Sequence, residues 1–462
     1  MNIRTVTLIA LAIQFATIIS VYVWIKEQRT RYLGFLFLCI LVGFHGITEI
    51  FQVVFPGINH FRDLTNEQAL DRWIVWVTVA IVIYAAVYCT VLQRKKLVDL
   101  RNGPLVMVRA FDWRINLPLG ILLKLFPFFT AMDSAANYWL VAMVIYLSGF
   151  PLLMGIVDLI LSKPSSWQIP IMIVYVVFLS LFDTRLLVLT SFISMVWLLS
   201  RLGHAPRIWK LLLITGLCGC LVITISQSRV MFGREALRSN ILMTISTMAR
   251  GAENTFDMNK SSKGILEDFV YRFDGNAISS VYMNEIDSGV VPAGFGPILT
   301  GLYLCIPSAV MPSKLESDVR WRLDKEYLTQ HYGMSSEIDY VVGLFGVFYG
   351  CYGLASLLLG SVFMAVLYAW LDNKLMLVGS VTHTLLFSCF LQSALMYEQN
   401  VDVYMLNLRS AFIMVVVYWV VGRFFNMFGG QQARHKQRSH KLDPRSLAEL
   451  YPNQEGTVLP KT

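Results

Sequence analysis

Residues Thr5 to Ile25 read TVTLIALAIQFATIISVYVWI, and the charged stretch Lys26-Glu27-Gln28-Arg29-Thr30-Arg31 follows at once. The apolar run carries no charged side chain and matches the roughly 20 residues that a helix needs to cross bilayer hydrocarbon. No small-residue cleavage site ends it, so a retained first span is expected, not a signal peptide. The same alternation recurs down the chain, with apolar runs at 5–25, 33–54, 73–92, 118–132, 138–161, 168–182, 186–200, 208–226, 341–370, 375–395 and 403–424. Those at 118–132, 168–182 and 186–200 are short for a full crossing and read as tilted or re-entrant pieces buried in protein. Composition agrees: 56% of residues are hydrophobic and 15% charged, whereas soluble domains carry about a quarter charged. The fold expected is all-α, a polytopic membrane protein with about 11 transmembrane helices (10–12).

Basic connections set the expected orientation, because Lys and Arg stay on the cytoplasmic side. Lys26, Arg29 and Arg31 follow the first span, and Arg94, Lys95, Lys96 and Arg101 follow the third. Arg201, Arg207 and Lys210 follow the seventh, and the tail holds Arg434, Lys436, Arg438 and Lys441. The connection at 55–72 is weakly acidic, and the turn with Glu398 and Asp402 is acidic outright. Eleven crossings satisfy all of these at once and place the N-terminus outside and the tail inside. The organisation expected is an N-terminal transmembrane block at 1–225, a large external segment at 226–340, a C-terminal transmembrane block at 341–424 and a basic cytoplasmic tail at 425–462. The cysteines lie mostly in apolar runs and read as small hydrophobes, with neither a disulfide framework nor metal-ligand spacing.

The external segment carries the candidate chemistry. Its charge is close to balanced, which leaves no basic surface for nucleic acid. Gly233 to Arg250 reads as a helix on which Arg234 and Arg238 continue an apolar arc of Leu237, Ile241 and Ile245. That pattern fits guanidinium groups held at phosphate depth, or plain snorkelling beside a membrane. Gly294 to Met311 is apolar but broken by Pro297, Gly301 and Pro307, and reads as a re-entrant or interfacial hairpin. Ser313 and Glu316 form a capping box for a helix in which Arg322 and Glu326 sit one turn apart. That pair either stabilises the helix or leaves Arg322 for substrate. Tyr271-Arg272-Phe273-Asp274 mixes an aromatic, a cation and an anion, suited to sugars and phosphate and equally common as a turn with an internal ion pair. His331 and Glu337 lead into the glycine-rich stretch Gly343 to Gly350, and a histidine there is either a general base or a structural group. Arg185 and Arg229 stand at the external ends of spans, where ionisable groups usually have a purpose. His45 and Glu49, one turn apart on the second run, read as a pair with each other or with a neighbouring helix.

This plan resembles the oligosaccharide repeat-unit polymerases, that is the O-antigen (Wzy-type) polymerases and the related O-antigen ligases. The local stretches that carry the resemblance are Asp183-Thr184-Arg185-Leu186-Leu187, Ser228-Arg229, Ile306-Pro307 through Pro312-Ser313-Lys314, and Ser336-Glu337 running into Leu344-Phe345-Gly346. In the ligases a histidine precedes a Gly-x-x-Gly pair, as His331 precedes Gly343 and Gly346 here. The residue after it is Tyr332, where the ligases carry a small polar one. The resemblance implies a GT-C-like fold and metal-independent, inverting glycosyl transfer at the outer face of a bacterial inner membrane, with no cofactor and no metal site. The donor it implies is a glycan on undecaprenyl pyrophosphate, held within the membrane lipid. Further partners implied are a chain-length regulator and a flippase. Arg185, Arg229, Arg234, Arg272 and Arg322 would stabilise the departing pyrophosphate, and His331, Glu337 or Asp274 would take the acceptor proton. The alternatives are a ligase-type transferase and a non-enzymatic flippase or transporter of lipid-linked oligosaccharide.

Overall fold

The structure, a computed structural model, describes residues 3–25, 32–54, 66–92, 113–126, 135–182, 185–201, 274–306 and 342–375, with scattered residues at 216, 328–334 and 390–420. Every regular element among them is helical. In chain order these are α1 (Ile3–Ile25), α2 (Leu33–Val42), a π-helical turn (Gly43–Ile47), α3 (Thr48–Val54), α4 (Glu67–Val91), α5 (Trp113–Leu125), α6 (Ala135–Ser162), a 3₁₀ turn (Ser165–Trp167), α7 (Gln168–Phe182) and α8 (Arg185–Arg201). There follow α9 (Gly275–Asp287), α10 (Gly296–Cys305), α11 (Gly343–Tyr352) and α12 (Leu354–Leu375). The chain divides into the units Met1–Phe412 and Ile413–Thr462, and all of these helices belong to the first.

Four described helices are long and apolar enough to cross a bilayer: Thr5–Ile25, Leu33–Gln52, Glu67–Val91 and Leu354–Asn373. They mark a membrane protein. The short runs expected at 168–182 and 186–200 are α7 and α8, with 15 and 17 residues. The run at 118–132 overlaps α5, whose Gly120 presses on the backbone of α6 at Leu152 and whose Trp113 amide donates to Asp158 at 2.8 Å. The runs at 208–226, 375–395 and 403–424 lie largely outside the described residues.

The spans are pinned at one end by a single carboxylate. Asp372, near the end of α12, is 1% exposed and accepts from the Leu33 amide at 2.8 Å, the Gly34 amide at 2.9 Å and the Tyr88 hydroxyl at 2.8 Å. The first amides of a helix have no partner within it, so Asp372 caps α2 from another helix. Gly34 is required for this approach, because a Cβ there would strike the Tyr88 ring. Halfway along, the buried Gln14 of α1 donates to Thr78 of α4 at 2.7 Å, and Gly46 in the π turn lets α1 come close.

Two short helices are packed among these spans. His45 lies about 18 Å along the helix axis from Leu33, so it sits near half depth. The start of α9 meets it there, since a Cβ on Gly275 would lie 3.2 Å from the His45 ring. The start of α11 arrives at the same level, with Phe345 stacked on His45 at 6.3 Å. The two short helices run parallel: Ser279 donates to the Val342 carbonyl at 3.1 Å, and Tyr282 lies beside Gly350. Both rise from half depth to the Glu67 end of the spans. There Asp287 pairs with Arg72 at 2.8 Å, and the chain reverses at Gly353 into α12. The run at 341–370, read from sequence as one span, is therefore two helices broken at Gly353, whose φ of 63° favours glycine.

Candidate functional site

Among the described residues, polar side chains gather around Asp372 at the Leu33 end, at half depth and at the Glu67 end; the last two hold residues singled out in the sequence. At half depth the key is Asn276, the second residue of α9 and fully buried. Its side-chain oxygen accepts from His45 Nδ1 at 2.7 Å and Trp73 Nε1 at 3.0 Å. Its side-chain nitrogen donates to the His45 carbonyl at 3.0 Å and to Glu49 Oε1 at 2.6 Å. One amide thus makes four hydrogen bonds, to α3, α4 and the π turn, and its full bonding capacity is met. The π turn makes this possible by rearranging the backbone ladder at His45; such turns concentrate at functional positions.

Asp274 stands two residues before Asn276 and is 1% exposed. Its Oδ1 accepts from the amides of Asn276 at 3.1 Å and Ala277 at 3.3 Å, the N-cap of α9. The sequence offered this carboxylate as a proton acceptor. Its place in the fold is to start the helix that carries Asn276 into the cluster.

At the Glu67 end, His331 and Tyr332 close over the top of α9 and α11. His331 is exposed, and its Nε2 donates to the Val291 carbonyl at 2.7 Å. A neutral imidazole bonded in this way has Nδ1 as its basic nitrogen. Tyr332 stacks on Tyr282 at 4.7 Å and donates to the Gly350 carbonyl at 2.6 Å. Its burial pushes the phenol above its ordinary range. It is Tyr332, next to His331, that reaches the C-terminal end of the glycine-rich helix, while Val342 and Gly346 face α9 near half depth.

His331 and Asp274 are not brought together. Tyr332 meets α9 at Tyr282, about 12 Å along the helix from Asp274. Arg185 is the first residue of α8. Glu337, Arg229, Arg234, Arg272 and Arg322 lie outside the described residues. Among the described residues, no three of His, Cys, Asp and Glu converge as ligands for a metal ion.

Sequence reasoning identified His45 and Glu49 as a pair in search of a partner and missed that the partner is Asn276. Only the Asp274-Gly275-Asn276 start of a helix was there to find it by. No family model, curated protein or solved structure matches this chain.

Proposed function

We propose that the protein polymerises lipid-linked oligosaccharide repeat units into a surface polysaccharide. In this reading the chain crosses a bacterial inner membrane eleven times and opens the segment 226–340 to the external side, with α9 reaching down to half depth. The transfer is inverting and metal-independent, from a glycan on undecaprenyl pyrophosphate. One observation carries the reading: the long segment between the span blocks is anchored inside the bundle, through Asn276 on His45, Glu49 and Trp73. Chain held in this way works at the membrane, which is where both lipid-linked substrates must stay. The arginines at 229, 234, 272 and 322 flank α9 and α10 in sequence and supply the positive charge that a departing diphosphate requires. Arg185, at the start of α8, joins them in this reading, and His331, Glu337 or Asp274 accepts the proton.

A deletion strain is expected to accumulate glycan with a single repeat unit on each lipid carrier. Arg272→Ala and Arg229→Ala should each lower chain elongation roughly a hundred- to thousandfold with the protein still in the membrane. Long chains of normal abundance from both variants would remove these residues from the site.

A second reading, transport of lipid-linked oligosaccharide, draws on a different observation. His45 and Glu49 are ionisable groups buried at half depth, in and beside the π turn at Gly43–Ile47 that interrupts the second span. Transporters place substrate and ion sites at such breaks. Loss of all surface glycan in the deletion strain, the single unit included, selects this reading over the first.

A further inference from the structure

Helix α10 is built inside out. Phe295, at its N-terminal edge, with Leu299, Leu302 and Ile306, is spaced by four, three and four residues, so all four fall on one narrow arc. All four are exposed, Phe295 and Leu299 by more than half. Among the residues of α10 whose burial is described, Pro297 and Gly301, on the opposite face, are buried. A helix in water turns its apolar stripe toward the protein; α10 turns its stripe outward. No Asp, Glu, Lys or Arg occurs anywhere between Asp287 and Lys314.

The level at which α10 starts is fixed by the hairpin of α11 and α12. The amides of Ala293 and Gly294 donate to the carbonyls of Gly350 at 3.2 Å and Cys351 at 2.8 Å, beside the reversal at Gly353. Phe295 packs edge-on against Tyr352 at 4.8 Å. Tyr352 and Trp370 are both half-exposed, and they lie about 27 Å apart along the hairpin. That separation is close to the hydrocarbon thickness of a bilayer, about 30 Å, and aromatic side chains gather at both of its edges. Between them Leu359, Phe363 and Val366 form an exposed arc with the same spacing as that of α10.

We infer that α10 is a lipid-contacting helix, its Phe295, Leu299, Leu302 and Ile306 face embedded in the acyl chains of the leaflet at the Glu67 end. Through Phe295 and Tyr352 its surface continues the lipid-facing arc of α12. The inference holds whether the protein polymerises or transports its substrate.

The test is photo-crosslinking of the full chain in nanodiscs of phosphatidylethanolamine and phosphatidylglycerol, with benzoylphenylalanine incorporated at Leu299 or Leu302. Phospholipid adducts, read by mass spectrometry, should form about as strongly as at Phe363 and roughly tenfold more than at the exposed Ser288. Adducts to another segment of the chain or to a second copy, or a yield no higher than at Ser288, would each overturn the inference. As a check independent of the probe, Leu299→Asp should reduce membrane-assembled protein several-fold while Ser288→Asp leaves it unchanged. Equal tolerance of the two substitutions would also overturn it.

Discussion

Asn276 concentrates four hydrogen bonds in one buried amide, and removing it should be felt at every partner. Asn276→Ala leaves His45, Glu49 and Trp73 each short of a bond, at about 1–3 kcal/mol for a buried group without its partner. Asn276→Asp keeps the shape but turns an acceptor toward the Glu49 oxygen that the amide now serves at 2.6 Å. Both variants should lower the unfolding midpoint in detergent by several degrees, followed by tryptophan fluorescence, with Asp at least as damaging as Ala. Midpoints equal to that of the parent would show that the cluster does not hold α9. The sequence made half of this cluster legible. His45 and Glu49 stand one turn apart in an apolar run and so declare a buried polar need. Asn276 comes more than two hundred positions later in a stretch of Asn, Ser and Glu that reads as exposed loop, because a hydrogen bond between distant residues leaves no periodic trace. Asp274 shows the opposite difficulty: Asp before Gly-Asn serves as well for a helix cap as for a base, and the cap is visible only once the amide geometry is known.

The packing of α9 on α11 depends on a small residue at one point of closest approach. A Cβ on Gly346 would strike the Ser279 hydroxyl and lie 2.8 Å from a Val342 methyl. Gly346→Ala should destabilise by about 1–3 kcal/mol, as overpacking does in a close-packed interior. Ser279→Ala removes the obstructing oxygen, so the double variant should be more stable than the sum of the single effects allows, by about 1 kcal/mol in a double-mutant cycle. Strict additivity would mean that the two helices do not meet there. Such short helices were the least legible elements. Hydropathy registers length and apolarity, so α1, α4 and most of α2 and α3 were plain in the sequence. It does not register depth, and α9, with Asn276, Ser279, Ser280 and Asn284, is polar enough to pass for an external loop. The break at Gly353 was hidden for the converse reason, since apolar residues continue on both sides of it. A re-entrant or interfacial hairpin was expected at Gly294 to Met311, where proline and glycine interrupt an apolar run. The described helix there is α10, with an exposed apolar face, and the deeply packed helix is α9.

For the molecule as a whole, the sidedness inferred from basic connections can be checked directly. A cysteine placed at Ser261 should react with a membrane-impermeant maleimide added to intact spheroplasts. Reaction only after permeabilisation would reverse the orientation and, with it, the face on which any glycosyl transfer could occur. The class of the protein was legible from composition and run length, whereas the arrangement of the spans was not. Asp372 shows why: the carboxylate that caps α2 lies 339 residues beyond Leu33, and nothing near Leu33 announces it. This long-range cap also bears on how the chain is made. A ribosome delivers Leu33 and Gly34 to the membrane well before it reaches Asp372, so the second span must enter the lipid with its leading amides uncapped. Those amides depend on water or a chaperone in the interval, and α12 closes the bundle by replacing that help. Any nascent fragment that stops short of Asp372 carries an open helix end at the membrane edge, a flaw that cellular quality control can recognise.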